Sequence, residues 1–240
     1  MASSENVWEA QALCREAEIC GLRVSLPDAE RLVCLLRLVW ASPLGLTAIR
    51  SWEDGRRKHL LDSLAWLPFA ELAPGETLVD VGSGAGFPGI PAAVVVPEIQ
   101  VTLLEANRRR CAFLRNAAAA LGLANVAVCE MRAEQAARSG GMREHADCIV
   151  ARAVAPMSRL VEYLAPLCRV GGRTVMLKGP RWREEWADAA RVAERVGLRG
   201  MRYREYELPE GSGMRAVVLL EKGHSTPRRY PRRARHSGSG

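Results

Sequence analysis

No run of about 18 consecutive apolar residues occurs anywhere in this 240-residue sequence, so no segment is suited to cross a bilayer as a helix. The opening Met-Ala-Ser-Ser-Glu-Asn has neither the basic start nor the apolar stretch of a secretory signal. None of the seven cysteines (14, 20, 34, 111, 129, 148 and 168) belongs to a C-x-x-C pair, which removes the common redox and zinc signatures. Their number is odd, and Cys129 and Cys148 sit in apolar runs where a thiol acts as a small hydrophobe. A reducing, cytoplasmic setting fits that usage. Lysine is scarce: only Lys58, Lys178 and Lys222 stand among 34 basic residues, so arginine is the default cation.

What is present is the composition of a folded chain. Hydrophobic residues make up 48% of it, enough for one large domain with an appendage and no need of a stabilising disulfide or metal. The formal charge of +7 is unevenly spread. Residues 222–240 hold Lys222, Arg228, Arg229, Arg232, Arg233 and Arg235 and no acidic residue, while the first 221 residues set 28 basic against 27 acidic groups. The chain reads as a nearly neutral body with a basic, flexible tail rather than as a uniformly basic nucleic-acid binder.

Residues 1–72 read as a helical cap. Leu32, Leu35, Leu36 and Val39 repeat at helical spacing behind the capping pattern Ser25-Leu-Pro27-Asp28. A helix over 54–67 sets the apolar stripe Leu60, Leu64 and Leu67 beside a face carrying His59, Asp62, Ser63 and Trp66. From 73 to 221 short β-rich runs alternate with helices. Strands are expected at 77–81, 101–104, 125–129, 147–151 and 173–177, with helices at 107–121, 156–168 and 182–196. That alternation predicts an α/β fold with a mostly parallel, doubly wound, Rossmann-like sheet. Two further runs, 201–208 and 214–220, are joined only by Pro-Glu-Gly-Ser-Gly and predict an antiparallel hairpin. A parallel sheet closed by such a hairpin is the arrangement of a class I methyltransferase dependent on S-adenosyl-L-methionine (AdoMet).

Asp80-Val-Gly82-Ser-Gly84-Ala-Gly86-Phe87-Pro-Gly89 leaves the first strand and enters a helix. Glycine there admits positive φ and lets a ligand approach the backbone closely. Glu105 ends the second strand, where a carboxylate can accept hydrogen bonds from both hydroxyls of a ribose. Gly84, Gly86 and Gly89 also satisfy the dinucleotide fingerprint, so an NAD(P)-linked oxidoreductase is the competing reading. Asp80 two residues before Gly82, and the terminal hairpin, favour AdoMet.

Further segments are more specific than the turn. Leu46-Thr-Ala-Ile49, His59-Leu-Leu-Asp62-Ser63-Leu64, the glycine turn through Pro91, Arg132-Ala133-Glu134, Ala151-Arg152-Ala-Val-Ala-Pro156, Leu177-Lys178-Gly179 and Tyr230-Pro-Arg232-Arg233 together carry a resemblance. Over residues 44–233 the chain resembles the RsmG (GidB) family of small-subunit ribosomal RNA guanine-N7 methyltransferases. The resemblance implies AdoMet as cofactor and 16S rRNA, or a small-subunit precursor, as partner. It also implies N7 of the guanine at position 527 of that RNA as the methyl acceptor. Carried over residue by residue, it implies a cofactor site that includes Gly82, Phe87, Ala133, Glu134 and Arg152. The family typically has Asn before the Leu-Thr-Ala-Ile run; here that position is Gly45.

Guanine N7 has an in-plane lone pair and no proton, so its methylation needs in-line positioning rather than a general base. Neither a catalytic triad nor a metal is expected. Arg152, alone in the apolar run Ile-Val-Ala-Arg-Ala-Val, and Lys178, at the end of the fifth strand, are the candidate positioning residues. The plainer role for Arg152 is a structural ion pair with Glu134 or Asp62, and for Lys178 a solvated strand end. His59, Asp62 and Ser63 are read first as a hydrogen-bond cluster docking the cap onto the sheet, and second as a lid over cofactor or base. Arg228, Arg229, Arg232, Arg233 and Arg235 are expected to contact RNA phosphates. Deleting residues 228–240 is accordingly expected to weaken RNA binding and leave AdoMet affinity intact. A non-catalytic RNA-binding protein is the third reading, and a monomer the default assembly.

Overall fold

The structure, a computed structural model, describes residues 4–232. Helices α1 (Ser4–Ile19) and α2 (Leu26–Ala41) open the chain. α2 starts where its pattern indicates: the Asp28 N–H donates to the Ser25 hydroxyl at 3.3 Å, and Pro27 sits in the first turn where its missing N–H costs nothing. The helix expected over 54–67 is segmented. It begins as α3 (Trp52–Gly55) behind the Ser51 cap, widens into a π-helical stretch over Arg56–Leu61 and ends as the single turn α4 (Asp62–Leu64). α5 (Leu67–Ala70) follows. Arg56, buried at the head of the π-helical stretch, pairs with Glu9 and Glu16 and so ties α1 to it.

The rest is one sheet with helices on both faces. In chain order the elements are β1 (Thr77–Val81), α6 (Gly89–Val95), β2 (Gln100–Glu105), α7 (Arg108–Ala120), β3 (Val126–Glu130), α8 (Ala133–Ala136), β4 (Ala146–Arg152), α9 (Met157–Leu164), β5 (Cys168–Lys178), α10 (Trp182–Arg195), β6 (Leu198–Glu207) and β7 (Met214–Lys222). The strand order is β3-β2-β1-β4-β5-β7-β6, parallel from β3 to β5, with β7 antiparallel to both its neighbours. α9 is shorter than expected, because Pro166 has no N–H to continue it, and Cys168 opens β5 instead.

Alternation along each strand divides the core in two. Leu78, Cys148, Val150, Val175, Leu177, Val217 and Leu219 pack beneath α2, α6 and α7. Val79, Ile149, Ala151, Met176, Val218 and Leu220 pack against α8, α9 and α10. The same parity carries Arg152 of β4 to the cap side and Lys178 of β5 to the α10 side.

The expected flexible tail from 222 is docked as far as Arg232. Lys222 is not a tail residue: it closes β7 and is buried. Its ammonium donates to the Thr226 hydroxyl at 2.6 Å and to the Cys168 carbonyl at 3.3 Å, and pairs with Glu144 at 3.3 Å. Burial lowers its pKa despite the Glu144 charge. Thr226 and Tyr230 are buried as well, while Arg228 and Arg229 are exposed. Arg233 and Arg235 lie outside the described residues.

Candidate active site

The parallel strands end together beside the glycine turn. The Gly89 N–H, which opens α6, donates to Asp80 Oδ2 at 3.0 Å, so the carboxyl of Asp80 pins the turn from beneath. Asp80 is fully buried, and that burial raises its pKa to about 7, opposed by the Gly89 N–H and the Arg152 charge. A Cβ on Gly89 would stand 2.7 Å from Asp80 Oδ2 and 2.5 Å from Leu103, so only glycine permits this approach. Gly82 is exposed, with φ +73°, a conformation that favours glycine.

Glu105 at the end of β2 accepts the Gly84 N–H at 3.0 Å and the Asn107 N–H at 2.8 Å, one on each oxygen. A carboxylate has about four acceptor sites, so these bonds orient the group and leave capacity on both oxygens. Gly82, Glu105, Ala133, Glu134, Val154 and Tyr163 line a cleft of about 200 Å³ above β1 and β2. Four of the expected cofactor residues thus meet around one space. Asp80 and Gly86 lie beneath it as buried supports of the turn, and Gly84 adjoins it through Glu105.

Phe87 and Arg152 stand apart from that cleft. Phe87 is buried, with the His59 ring stacked on it at 4.8 Å and 4°, and the Arg152 guanidinium lies 5.4 Å from its ring centre. Arg152 donates to Asp62 Oδ2 at 2.9 Å, and the Tyr206 hydroxyl donates to Asp62 Oδ1 at 2.8 Å. Arg215 of β7, cross-strand from Tyr206, approaches the same carboxylate at 3.7 Å. Asp62 therefore joins the cap to β4, β6 and β7. Burial beside this carboxylate pushes the Tyr206 hydroxyl pKa up. His59 Nε2 meets the Thr47 hydroxyl at 2.7 Å, while its buried Nδ1 has no partner. Burial and the Arg152 charge, against the opposing Asp62, lower the His59 pKa to about 4, so the ring is neutral at pH 7. Ser63 and Trp66 face the core.

Lys58, His59, Asp62, Arg152, Lys178, Glu185 and Arg215 line a second cleft of about 370 Å³. Lys178 pairs with Glu185 of α10 at 2.5 Å and donates to the Ala155 carbonyl at 3.3 Å; Glu185 also accepts the Met157 N–H at 2.8 Å. Lys178 is thus not a free strand end. Ala153, with φ +55°, and Val154 separate the two clefts: Val154 lines the first, Ala153 the second. Among the described residues no cluster of His, Cys, Asp and Glu could hold a metal, and no helix is long and apolar enough to cross a membrane.

Sequence reasoning did not single out Tyr206, Arg215 or Glu185 for this site. Arg215, a lone cation before the apolar run Ala-Val-Val-Leu-Leu, carried the same signal as Arg152. Gly45 has φ +59° with open space where a side chain would project, so the backbone accounts for both Gly and Asn at that position.

The family model for rRNA small subunit methyltransferase G matches residues 26–207. This chain belongs to that family. Among its curated relatives, the ribosomal RNA small subunit methyltransferase G of Symbiobacterium thermophilum is 42% identical, over 89% of this chain and 90% of the relative. The protein of that name from Deinococcus radiodurans is 40% identical over 93% and 88%, and that from Clostridium botulinum (strain Alaska E43) 37% over 92% and 94%. The fold is shared more widely. A precorrin-6y C5,15-methyltransferase from Geobacter metallireducens aligns with TM-score 0.51 at 15% identity, covering 76% of this chain and 93% of that one. A protein from Agrobacterium tumefaciens, classed as an O-methyltransferase, aligns with TM-score 0.55 at 21% identity, covering 70% and 81%. Membership of this methyltransferase family displaces the oxidoreductase reading, and the antiparallel β7 inserted beside β5 departs from the usual 3-2-1-4-5-6 dinucleotide-binding sheet.

Proposed function

We propose that this chain transfers the methyl group of AdoMet to N7 of a guanine in 16S rRNA, at position 527, acting in the cytoplasm on the RNA or on a small-subunit precursor. The observation that carries the reading is the pair of clefts meeting at Ala153–Val154 along the carboxyl ends of β1, β2, β4 and β5. Ligands of open α/β sheets bind at that edge. The first cleft fits a nucleoside: Glu105 offers acceptors to ribose hydroxyls, and Gly82 lets the turn pack against Val154, where a Cβ would stand 2.8 Å from the valine side chain. AdoMet supplies an electrophilic methyl on a sulfonium.

The second cleft receives the base. It carries four cations, Lys58, Arg152, Lys178 and Arg215, and two carboxylates, Asp62 and Glu185. The cations suit an RNA ligand, and the carboxylates suit the positive charge that N7 methylation creates on guanine. Lys178 and Glu185 set a donor beside an acceptor, complementary to O6 and to the N1–H and N2–H of guanine, which leaves N7 free of protein donors. Arg152, held by Asp62, and the neutral His59 line this cleft and pack against the buried Phe87 behind it. No general base is required, since N7 carries no proton.

Incubation of the chain with tritiated AdoMet and undermodified small-subunit RNA or particles, followed by borohydride and aniline cleavage, tests enzyme, substrate and site together. Tritium transfer with cleavage at a single guanine is the expected result. RNA binding without transfer would instead support the non-catalytic reading.

A further inference from the structure

The carboxyl-terminal segment expected to serve RNA alone is bonded to the walls of the cofactor cleft. Glu162 of α9 is buried with 0% exposure; Arg159 of the same helix stands 3.8 Å from it, and its hydrogen-bond partner comes from the tail. It accepts the Arg232 N–H at 3.0 Å and Arg232 Nε at 2.8 Å. Two arginines of the body then reach from the cleft to the same segment. Arg138 donates to the Glu134 carbonyl at 3.1 Å and to the Pro231 carbonyl at 2.6 Å. Arg159 donates to the Tyr163 hydroxyl at 3.0 Å and to the Arg232 carbonyl at 3.1 Å. Glu134 and Tyr163 both line the first cleft. Each is tied by one guanidinium to the backbone of residues 231–232.

From this arrangement we propose that Tyr230-Pro231-Arg232 is a clasp that positions the Glu134 and Tyr163 walls of the AdoMet cleft, with Arg138, Arg159, Arg232 and Glu162 as positioning residues. The inference rests on the reading of that cleft as the cofactor site. Its physical basis is the demand of Glu162: a buried carboxylate needs its hydrogen-bonded cation, so the tail is held to α9 rather than released to solvent. A planar guanidinium is suited to bridge two carbonyls, which a single ammonium on a flexible stem does less well. The clasp reverses the expectation drawn from charge alone, that removing the tail leaves AdoMet affinity untouched.

Arg138 is exposed, so replacing it leaves the core intact; Arg232→Gln also removes the cation of the buried Glu162, so Arg138→Gln is the variant that decides if Arg232→Gln fails to fold. The full-length wild type, Arg138→Gln, Arg138→Lys and Arg232→Gln are titrated calorimetrically with AdoMet, with circular dichroism recorded to confirm folding. Steady-state rates on small-subunit RNA give KM for AdoMet and kcat separately. Both glutamine variants are expected to raise Kd and KM for AdoMet by roughly three- to tenfold, the range for residues acting through an intervening contact. Arg138→Lys is expected to fall between wild type and Arg138→Gln, and kcat at saturating AdoMet to stay within about twofold, as for loss of uniform binding. Folded glutamine variants with wild-type AdoMet affinity would overturn the clasp, even if RNA binding weakened. A wild type that bound no AdoMet would overturn the cofactor reading and the clasp with it.

Discussion

At the scale of single residues the site depends on which charges are present and which are withheld. His59 stacks on Phe87 near the Arg152 charge with its pKa lowered to about 4, so it resists protonation that an unfolded histidine accepts near 6.5. A group whose folded pKa is depressed contributes stability above its unfolded pKa and loses it as pH falls through the folded value. Stability should therefore decline between pH 6.5 and about 4 by up to about 3 kcal/mol from this residue. Asp80, whose pKa is raised, works in the opposite direction: its contribution is lost as pH rises through about 7. The difference between wild type and His59→Gln in urea unfolding, measured across that range, isolates the histidine; a difference that does not change with pH would refute the assignment. Glu185 is the corresponding test for the base. Replacing it with Gln should reduce the preference for guanine over inosine, which lacks the N2 amine, by up to the equivalent of about 1–3 kcal/mol in kcat/KM. Equal discrimination by both enzymes would place recognition elsewhere.

At the scale of elements, the glycine turn shows how little room the cleft has to form differently. Gly89 lets α6 start against Asp80 and Leu103, where a methyl group would meet atoms at 2.5 to 2.8 Å. Gly89→Ala should destabilise the protein by about 1–3 kcal/mol, the usual cost of overpacking, and break the Asp80 hydrogen bond. The fall in urea midpoint at unchanged slope measures it. The π-helical stretch Arg56–Leu61 has a related role. Its wider turn departs from the α-helical register of the expected 54–67 helix, so His59 and Asp62 reach Phe87 and Arg152 while Ser63 and Trp66 enter the core. Local widening of this kind recurs at functional sites.

At the scale of the whole molecule, the basic excess is used in two ways. Lys222 and Arg232 are consumed by Glu144 and Glu162 inside the fold, whereas Arg228 and Arg229 remain exposed. The cations facing the second cleft, Lys58, Arg152, Lys178 and Arg215, come from the nominally neutral body. Replacing Arg228 and Arg229 together by Gln should lower the slope of log affinity against log salt by about 1.5 if each neutralises one phosphate. Filter binding to small-subunit RNA across a salt series measures the slope; an unchanged slope would show that the exposed tail arginines make no phosphate contact.

The order of strands and helices, the cap of α2, the glycine turn, the acidic end of β2 and the terminal hairpin were legible in the sequence, because each is set by spacing within some twenty residues and by the steric rules of glycine and proline. Arg152 was legible as an anomaly, a charge inside an apolar strand. Its partner was not singled out between Asp62 and Glu134, and only packing brings Asp62 to it across 90 positions and to Tyr206 across 144. The tail makes the same distinction. An arginine carries the same charge whether it faces solvent or a buried carboxylate. Only the tertiary structure, by burying Glu162 at a distance of 70 residues, decided that Arg232 closes the fold.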